Sequence, residues 1–420
     1  MKKIVIFILG ICFFPLLPVI AQDFSNNEKI LKQIADNLLR ENIRGFVDYS
    51  TGKIYNDASN IDPLNGDVWF ISVFSRMQYC NGVIDMAMLE LGDLLKNKKY
   101  IDYSMMNYDF IFNNSRYFKG KANGRSKYGY PFGQMFVFEE LDDCGTMGAF
   151  FIDSYLRRRR DDAKIYINKT ADFMLNKMTR LNDGTYCRSF PVDKTIWADD
   201  LYMSVPFLVR MGKMTGDNMY YDEAIKQVLL FTKYLWDHED KLYHHGWFSD
   251  NNTASVAYWG RANGWIAMAQ VELLKYLPLT YPKRQQIIDN LNRQLINVSH
   301  FQSADNLWHQ LLNKEDSFLE VSSTAMFTYA IAYAVNQGFL PQRYFTVALL
   351  GWKGICDHSD NGKIYDICMG TGIKNDLNYY YTRPTRPNDV GFGAVIFAGL
   401  EILKYEAAHG TIRVDDRDHW

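Results

Sequence analysis

The chain has 420 residues, with 46 Lys and Arg against 48 Asp and Glu and a formal net charge of −2. That balance excludes the basic groove that nucleic-acid binding needs. Hydrophobic residues at 48% and charged residues at 22% are an ordinary globular composition, and the 15% aromatic content suits an aromatic core or a ring-lined cleft, since flat rings stack on flat ligands, sugars included.

The N-terminus reads as a signal peptide over residues 1–21. Lys2 and Lys3 precede an apolar run from Ile4, and Val19-Ile20-Ala21 forms a small-residue cleavage site. Pro15 and Pro18 interrupt that run, which is short for a membrane span. Cleavage after Ala21 is expected, with export to the periplasm or beyond and no membrane contact afterwards. No linker-like segment divides residues 22–420, which are expected to form one domain. Five cysteines remain, Cys80, Cys144, Cys187, Cys356 and Cys368, without CxxC spacing. They offer no zinc set and are expected to be mostly buried thiols, with any pairing left open.

Strand signals are few and 3.6-residue periodicity dominates. It predicts helices over about 27–41, 79–97, 98–117, 143–158, 161–179, 199–213, 218–237, 260–276, 282–300, 321–337, 342–357 and 390–407. They alternate between amphipathic stretches and more apolar ones such as "TMGAFFIDSY", "NGWIAMAQVELL" and "STAMFTYAIAYAV". The apolar members begin near Tyr79, Asp143, Asp199, Gly260, Val321 and Val390, about 55 to 70 residues apart. A helix apolar nearly all round is buried on all sides. Six such helices ringed by six amphipathic ones describe an all-α (α/α)6 barrel of six helical hairpins. Inner helices that run the same way bring their N-termini to one rim, where free N–H groups and partial positive charge favour an anionic ligand.

The unusual residues sit at those six starts. In chain order they are Tyr79; Asp142 and Asp143 in "LDDCG"; Trp197, Asp199 and Asp200 in "WADDLYM"; and His244, His245, Trp259, Arg261, Asn263 and Trp265 in "HHGWF…YWGRANGW". Glu320 in "LEVSSTAM" and Arg383 and Asp389 in "TRPTRPNDVGFG" complete the set. A single Asp at a helix start is ordinarily an N-cap. A doublet is different, because successive helical residues point about 100° apart, so one can cap while the other faces the centre. Arg261, within an aromatic stretch, needs an anion or a salt bridge if buried. The neighbouring His244 and His245 lack partners at metal-ligand spacing, so no metal or cofactor is expected.

Taken together, "WADDLYMSVPFL", "YWGRANGW", "LEVSSTAMFTYA" and "YYYTRPTRPNDVGFGAVIFAGLE" resemble the unsaturated rhamnogalacturonyl hydrolases of glycoside hydrolase family 105, kin to the unsaturated glucuronyl hydrolases of family 88. The resemblance runs from about Met77 to Leu403 and implies an (α/α)6 barrel. It also implies hydrolysis by hydration: an acid protonates C4 of a 4,5-unsaturated uronic acid at the non-reducing end of a lyase-generated oligosaccharide. Water then adds at C5, and the hemiketal collapses. On that resemblance Asp199 is the proton donor, with a pKa raised by burial and a second carboxylate, while Asp200 is free to cap. The second carboxylate maps to Asp143, with Asp142 the fallback. Substrate contacts map to Tyr79, Trp197, Met203, His245, Trp259 and Arg261, with Arg261 either a fork for the substrate carboxylate or the anchor of an acid. Met77 stands where the family carries Trp, which bears on the leaving sugar. An ordinary glycosidase, with an acid and a base flanking a water, a lyase, or a non-catalytic sugar-binding protein are the alternatives on the same barrel.

Overall fold

The computed structural model describes residues 26–386 and 390–410. The signal-peptide reading and Asp389 lie outside the described residues. In chain order the helices are α1 (Asn27–Glu41), α2 (Tyr79–Leu94), α3 (Lys98–Ser115), α4 (Gly133–Phe136), α5 (Gly145–Arg157), α6 (Asp161–Asp172), α7 (Asp200–Thr215), α8 (Asn218–Leu235), α9 (Gly260–Tyr276), α10 (Arg284–Ser299), α11 (Val321–Asn336), α12 (Phe345–Asp357), α13 (Leu377–Tyr381) and α14 (Phe392–His409). Packing runs α2–α5–α7–α9–α11–α14 and back to α2, a closed inner ring. The helices α1, α3, α6, α8, α10 and α12 lie outside it, and the short α4 and α13 sit in loops. This is the barrel expected from the periodicity.

The two rings differ in pattern for a physical reason. Outer α1 buries Leu31, Ile34, Ala35 and Leu38, one face at i, i+3, i+4 and i+7 spacing. Inner α11 is buried along its length from Val321 to Val335, so it carries small residues where neighbours come close. Gly145 shows the constraint most sharply: a Cβ there would lie 1.5 Å from the Met203 carbonyl oxygen of α7. Any side chain at 145 would push α5 away from α7 at the rim where the site lies. Ends follow local chemistry. Asn97 and Asp217 accept N–H bonds from Lys99 and Met219 at the starts of α3 and α8, and Gly216 ends α7 in the left-handed conformation at φ 74°.

Helix boundaries differ from the expected ones mostly by a few residues. Three differences have local causes. The α6 stretch changes to a wider π-helical turn over Phe173–Lys177. A tight 3-10 turn, Leu141–Asp143, precedes α5, and another, Gln342–Tyr344, precedes α12. The larger departure is in the loops, where the described residues contain five small sheets. Their strands are β1 (Phe46–Asp48), β2 (Ile54–Tyr55), β3 (Val68–Phe70), β4 (Thr195–Trp197), β5 (Gly246–Phe248), β6 (Thr253–Ala254), β7 (Trp308–His309), β8 (Leu319–Glu320), β9 (Ser359–Asp360), β10 (Lys363–Ile364), β11 (Ile367–Cys368) and β12 (Thr385–Arg386). Strands of two or three residues are too short to display a period of two. They matter because they fix the loops at the helix N-termini: β4 pairs antiparallel with β5, setting Trp197 opposite Gly246.

The opposite pole of the inner ring is tied by charge. Arg210 of α7 bonds Asp153 of α5 at 2.8 Å and Glu272 of α9 at 2.7 Å. Lys275 bonds Glu272 at 3.0 Å and Glu90 of α2 at 2.5 Å. Both cations lie toward helix C-termini, where the macrodipole favours positive charge. All five cysteines among the described residues are free thiols, and Cys80, Cys144, Cys187 and Cys368 are buried. No helix among the described residues is long and apolar enough to cross a membrane.

Candidate active site

A cavity of about 280 Å3 opens at the N-terminal rim, lined by Tyr79, Asp142, Arg188, Trp197, Asp199, Met203, Trp259, Arg261 and the Gly370–Thr371–Gly372 strip. Seven of the residues singled out from sequence therefore meet in one cup: Tyr79, Asp142, Trp197, Asp199, Met203, Trp259 and Arg261. They come from the starts of α2, α7 and α9, from the turn before α5 and from β4.

The two Asp doublets divide in ways the sequence did not specify. Asp199 holds the N-cap position of α7 but makes no capping bond. Its carboxylate, 17% exposed, turns to the cup, with Oδ2 3.3 Å from His245 Nε2. Asp200 does not cap either, contrary to expectation. It is fully buried and takes two bonds from Arg188, at 2.9 and 2.7 Å. In the other doublet the assignment of Asp143 to the cup is corrected. Asp143 Oδ2 accepts from Lys127 Nζ at 2.6 Å and from the backbone N–H groups of Glu139 and Glu140 at 2.9 and 3.1 Å, and Gln134 donates to Oδ1. It locks its own turn, while Asp142 faces the cavity and Arg188 at 3.2 Å. Side chains diverge by about 120° per residue in a 3-10 turn, so neighbours cannot share a target.

Two further expectations change. His245 is wholly buried and does not line the cavity; it stands behind Asp199. Its Nδ1 pairs with the Tyr380 hydroxyl at 2.9 Å. That hydroxyl also accepts the Lys374 N–H, and the ring's Nε2 faces Asp199. A contact of His245 with substrate is therefore replaced by support of the acid. Arg261 is not a free fork. Its Nη1 donates to the Cys368 carbonyl at 2.6 Å and to Ser322 Oγ at 3.2 Å, and Nη2 donates to the Met369 carbonyl at 2.9 Å. It anchors the strip that forms one wall and stacks on Trp259 at 4.4 Å. No carboxylate among the described residues pairs with it, so its charge is left to act on whatever enters the cup. Arg261→Ala should raise KM for an anionic ligand about 10- to 100-fold, the range of one charged hydrogen bond, with Arg261→Lys recovering part of the loss. Equal KM values for all three proteins would remove this role.

Electrostatics separates the two cup carboxyls. Burial pushes Asp199 upward, but the adjoining His245 imidazole and the charges of Arg188 and Arg261 outweigh it, so Asp199 sits below the ordinary Asp value. The expected rise is thus corrected. Asp142 behaves oppositely: burial, opposed by Arg188 but reinforced by Asp200, Glu140 and Asp199, pushes it up to about 7. Asp142 is the more readily protonated of the two. Several buried polar atoms here also lack a hydrogen-bond partner, namely Asp199 Oδ2, His245 Nε2 and Trp259 Nε1. Buried polar groups are nearly always paired, and such a cluster suits a polar ligand.

Arg188 was not found from sequence. It lies in the irregular stretch "CRSFPVDKTIW", and only its bridge to Thr195 carries it under Trp197, where it stacks at 4.3 Å. Of the other predicted residues, Glu320 is a cap, its two oxygens accepting the N–H groups of Ser322 and Ser323, with Oε1 also holding Cys368 N. His244 turns outward to Asp237 at 3.2 Å.

Comparison with known proteins gives consistent findings. The profile of Glycosyl Hydrolase Family 88 matches residues 53–406. The chain is 28% identical over 243 residues to the "Unsaturated rhamnogalacturonyl hydrolase YesR" of Bacillus subtilis, a match covering 56% of this chain and 69% of that protein. It is 28% identical over 217 residues to the "Unsaturated 3S-rhamnoglycuronyl hydrolase" of an Alteromonas species, covering 49% of this chain and only 51% of that protein. Among solved structures, a possible member of the GH105 family from Salmonella enterica superposes with a TM-score of 0.72 at 22% identity, over 94% of this chain and 100% of that one. An unsaturated glucuronyl hydrolase specific for heparin gives a TM-score of 0.60 at 13% identity, over 93% and 99%. These last two likenesses speak to the fold.

Proposed function

The chain belongs to glycosyl hydrolase family 88, and from that premise we propose that it removes a 4,5-unsaturated uronic acid from the non-reducing end of lyase-generated oligosaccharides of the rhamnogalacturonan type, as an exported enzyme of the family 105 kind. The observation that carries this reading is the cup itself: Asp142 and Asp199 face one cavity together with Arg261, between the Trp197 and Trp259 walls. The relative named for unsaturated rhamnogalacturonyl hydrolysis supports the substrate class.

In the proposed reaction the uronate carboxylate enters the field of Arg261 and Arg188. Its negative charge beside Asp199 offsets the cations that hold that acid down, and exclusion of water acts in the same sense. Asp199 then takes up a proton and delivers it to C4. Positive charge develops over C5 and the ring oxygen, next to the Trp197 and Trp259 walls. Water adds at C5 and returns its proton to Asp199, which His245 holds in place. The resulting hemiketal collapses and the leaving sugar is released. Asp142, neutral below pH 7, donates to a sugar hydroxyl rather than repelling the uronate.

The test is the ultraviolet absorbance of the conjugated double bond in an unsaturated disaccharide. Hydration removes it no later than the leaving sugar appears, whereas an ordinary glycosidase would release that sugar first, with the absorbance decaying only afterwards as the freed unsaturated sugar opens, and that order would overturn the proposal. The pH dependence follows from the sign of the Asp142 shift. Its raised pKa keeps it protonated below about 7, so kcat/KM, which reports the free enzyme, should fall as pH rises through 7. Asp142→Asn, which cannot ionise, should lose that limb. A limb unchanged in the variant would assign it to another group.

A further inference from the structure

Asn263 of α9 belongs to a buried hydrogen-bond circuit behind the cup. It is wholly buried and does not line the cavity. Its carboxamide pairs with Tyr243 as a neighbouring strand would. Oδ1 accepts the Tyr243 N–H at 2.9 Å, and Nδ2 donates to the Tyr243 carbonyl at 2.7 Å. Nδ2 also donates to the Trp259 carbonyl at 3.1 Å, so the donor capacity of the amide is used up. The Asn263 carbonyl accepts from Gln294 of α10 at 2.8 Å, and Gln270 donates to Gln294 at 2.9 Å. Asn290 donates to Gln270 at 2.7 Å and to the Tyr243 hydroxyl at 3.1 Å. The circuit thus begins and ends on Tyr243, gripping it at the backbone and at the ring tip.

Tyr243 lies shortly before His245, whose ring faces Asp199 at 3.3 Å. The His245 N–H donates to the Ala257 carbonyl at 2.9 Å, and the His245 carbonyl accepts the Ala198 N–H at 3.0 Å. Its ring packs on Trp259 at 4.6 Å. Asn263 therefore joins the segment that carries His245 to the residue on which the His245 ring rests. Resting on the function proposed above, we infer that Asn263 is a positioning residue: by clamping Tyr243 to the Trp259 turn, it fixes the distance and aim of the His245 imidazole toward Asp199. A fully satisfied buried polar network rigidifies what it holds. An apolar side chain at 263 would leave the Tyr243 N–H and carbonyl without these partners in a buried setting. Apolar packing could fill the same space, but only an amide ties the backbone of the segment to one register.

The experiment measures kcat and KM for an unsaturated disaccharide in wild type, Asn263→Ala, His245→Gln and the double variant, with Tm as the check on folding. Asn263→Ala should lower kcat about 10- to 100-fold, the cost of a misplacement of about 1 Å, and change KM less than about threefold. In the His245→Gln background the same substitution should lower kcat less than about threefold, because residues that act through one another are not additive. A purely structural role would lower Tm in both backgrounds without that coupling in kcat. Asn263→Asp keeps the side-chain volume and the acceptor for the Tyr243 N–H but removes the amide donor facing the two carbonyls. The same pattern is expected of it, and it carries the test where Asn263→Ala does not fold. Wild-type kcat in a folded Asn263 variant, or equal kcat losses in both backgrounds, would overturn the inference. So would a KM rise without a kcat loss, which would put the effect in the Trp259 wall, or loss of the folded state in both Asn263 variants, which would make the residue one of stability alone. Failure of the wild-type enzyme to hydrate the disaccharide would instead overturn the function on which the inference rests.

Discussion

Asp199→Asn is expected to lower kcat by about 100- to 10,000-fold, the range contributed by a positioned general acid and base, with KM for an unsaturated disaccharide changed by less than about threefold. The asymmetry follows from the geometry. Asn is isosteric with Asp and leaves Trp197, Met203 and Trp259 in place, so the walls that hold the sugar are unaltered. It cannot supply the proton that C4 needs or accept the one that water must lose. The His245 ring stays held by the Tyr380 hydroxyl at 2.9 Å whichever group faces its Nε2. Single-turnover kinetics with the absorbance readout separates binding from chemistry. A variant with wild-type kcat would remove Asp199 from the reaction. A variant with unchanged kcat but much higher KM would make it a binding group. His245→Gln should fall between these limits, because it leaves the acid present but without its partner at 3.3 Å.

The second large effect concerns stability. Glu272 is fully buried and joins Arg210 and Lys275, with the Tyr329 hydroxyl at 3.3 Å. Burial pushes its pKa up, but Lys275 and Arg210 outweigh burial and hold it at about 2. Removing one member of a buried ion pair leaves the other charge uncompensated and costs about 3–5 kcal/mol. Glu272→Ala leaves Arg210 with Asp153 alone and Lys275 with Glu90 alone, so each buried cation loses one of its two carboxylates and the cost should fall within that range. For a chain of this size it should lower Tm by about 4–6 °C. The sign with pH is equally defined. The folded pKa lies below the unfolded one, so the contribution is complete above about 4.5. It is lost as pH falls from there toward 2. The Tm difference between wild type and Glu272→Ala should therefore shrink on acidification through that window. A constant difference would place the contribution in packing rather than in charge.

Legibility of the site varied with the kind of signal. Residues at helix starts were readable because a break in periodicity, an aromatic and a carboxylate coincide there; Trp197, Asp199, Trp259 and Arg261 all met in the cup on that basis. Which member of a doublet faces inward was not readable. Asp142 and Asp143 occupy a 3-10 turn, and Lys127, sixteen positions earlier, decides the matter by drawing Asp143 away. Arg188 carried no local pattern and is brought to the cup by strand pairing alone. The small sheets around the mouth escaped notice because two-residue strands have no periodicity to display.

Alternating helices of differing apolarity, with small residues wherever an inner helix meets its neighbour, were enough to determine an (α/α)6 barrel and the rim on which its chemistry-bearing residues gather, because burial pattern and helix polarity are properties of each segment alone. The protonation order of Asp142 and Asp199, the diversion of Asp143 and Asp200 into structural pairs, and the role of Arg261 as an anchor of backbone carbonyls were decided only in three dimensions. Each depends on desolvation and on charges within a few ångströms, and those neighbours come from loops that lie far apart along the chain.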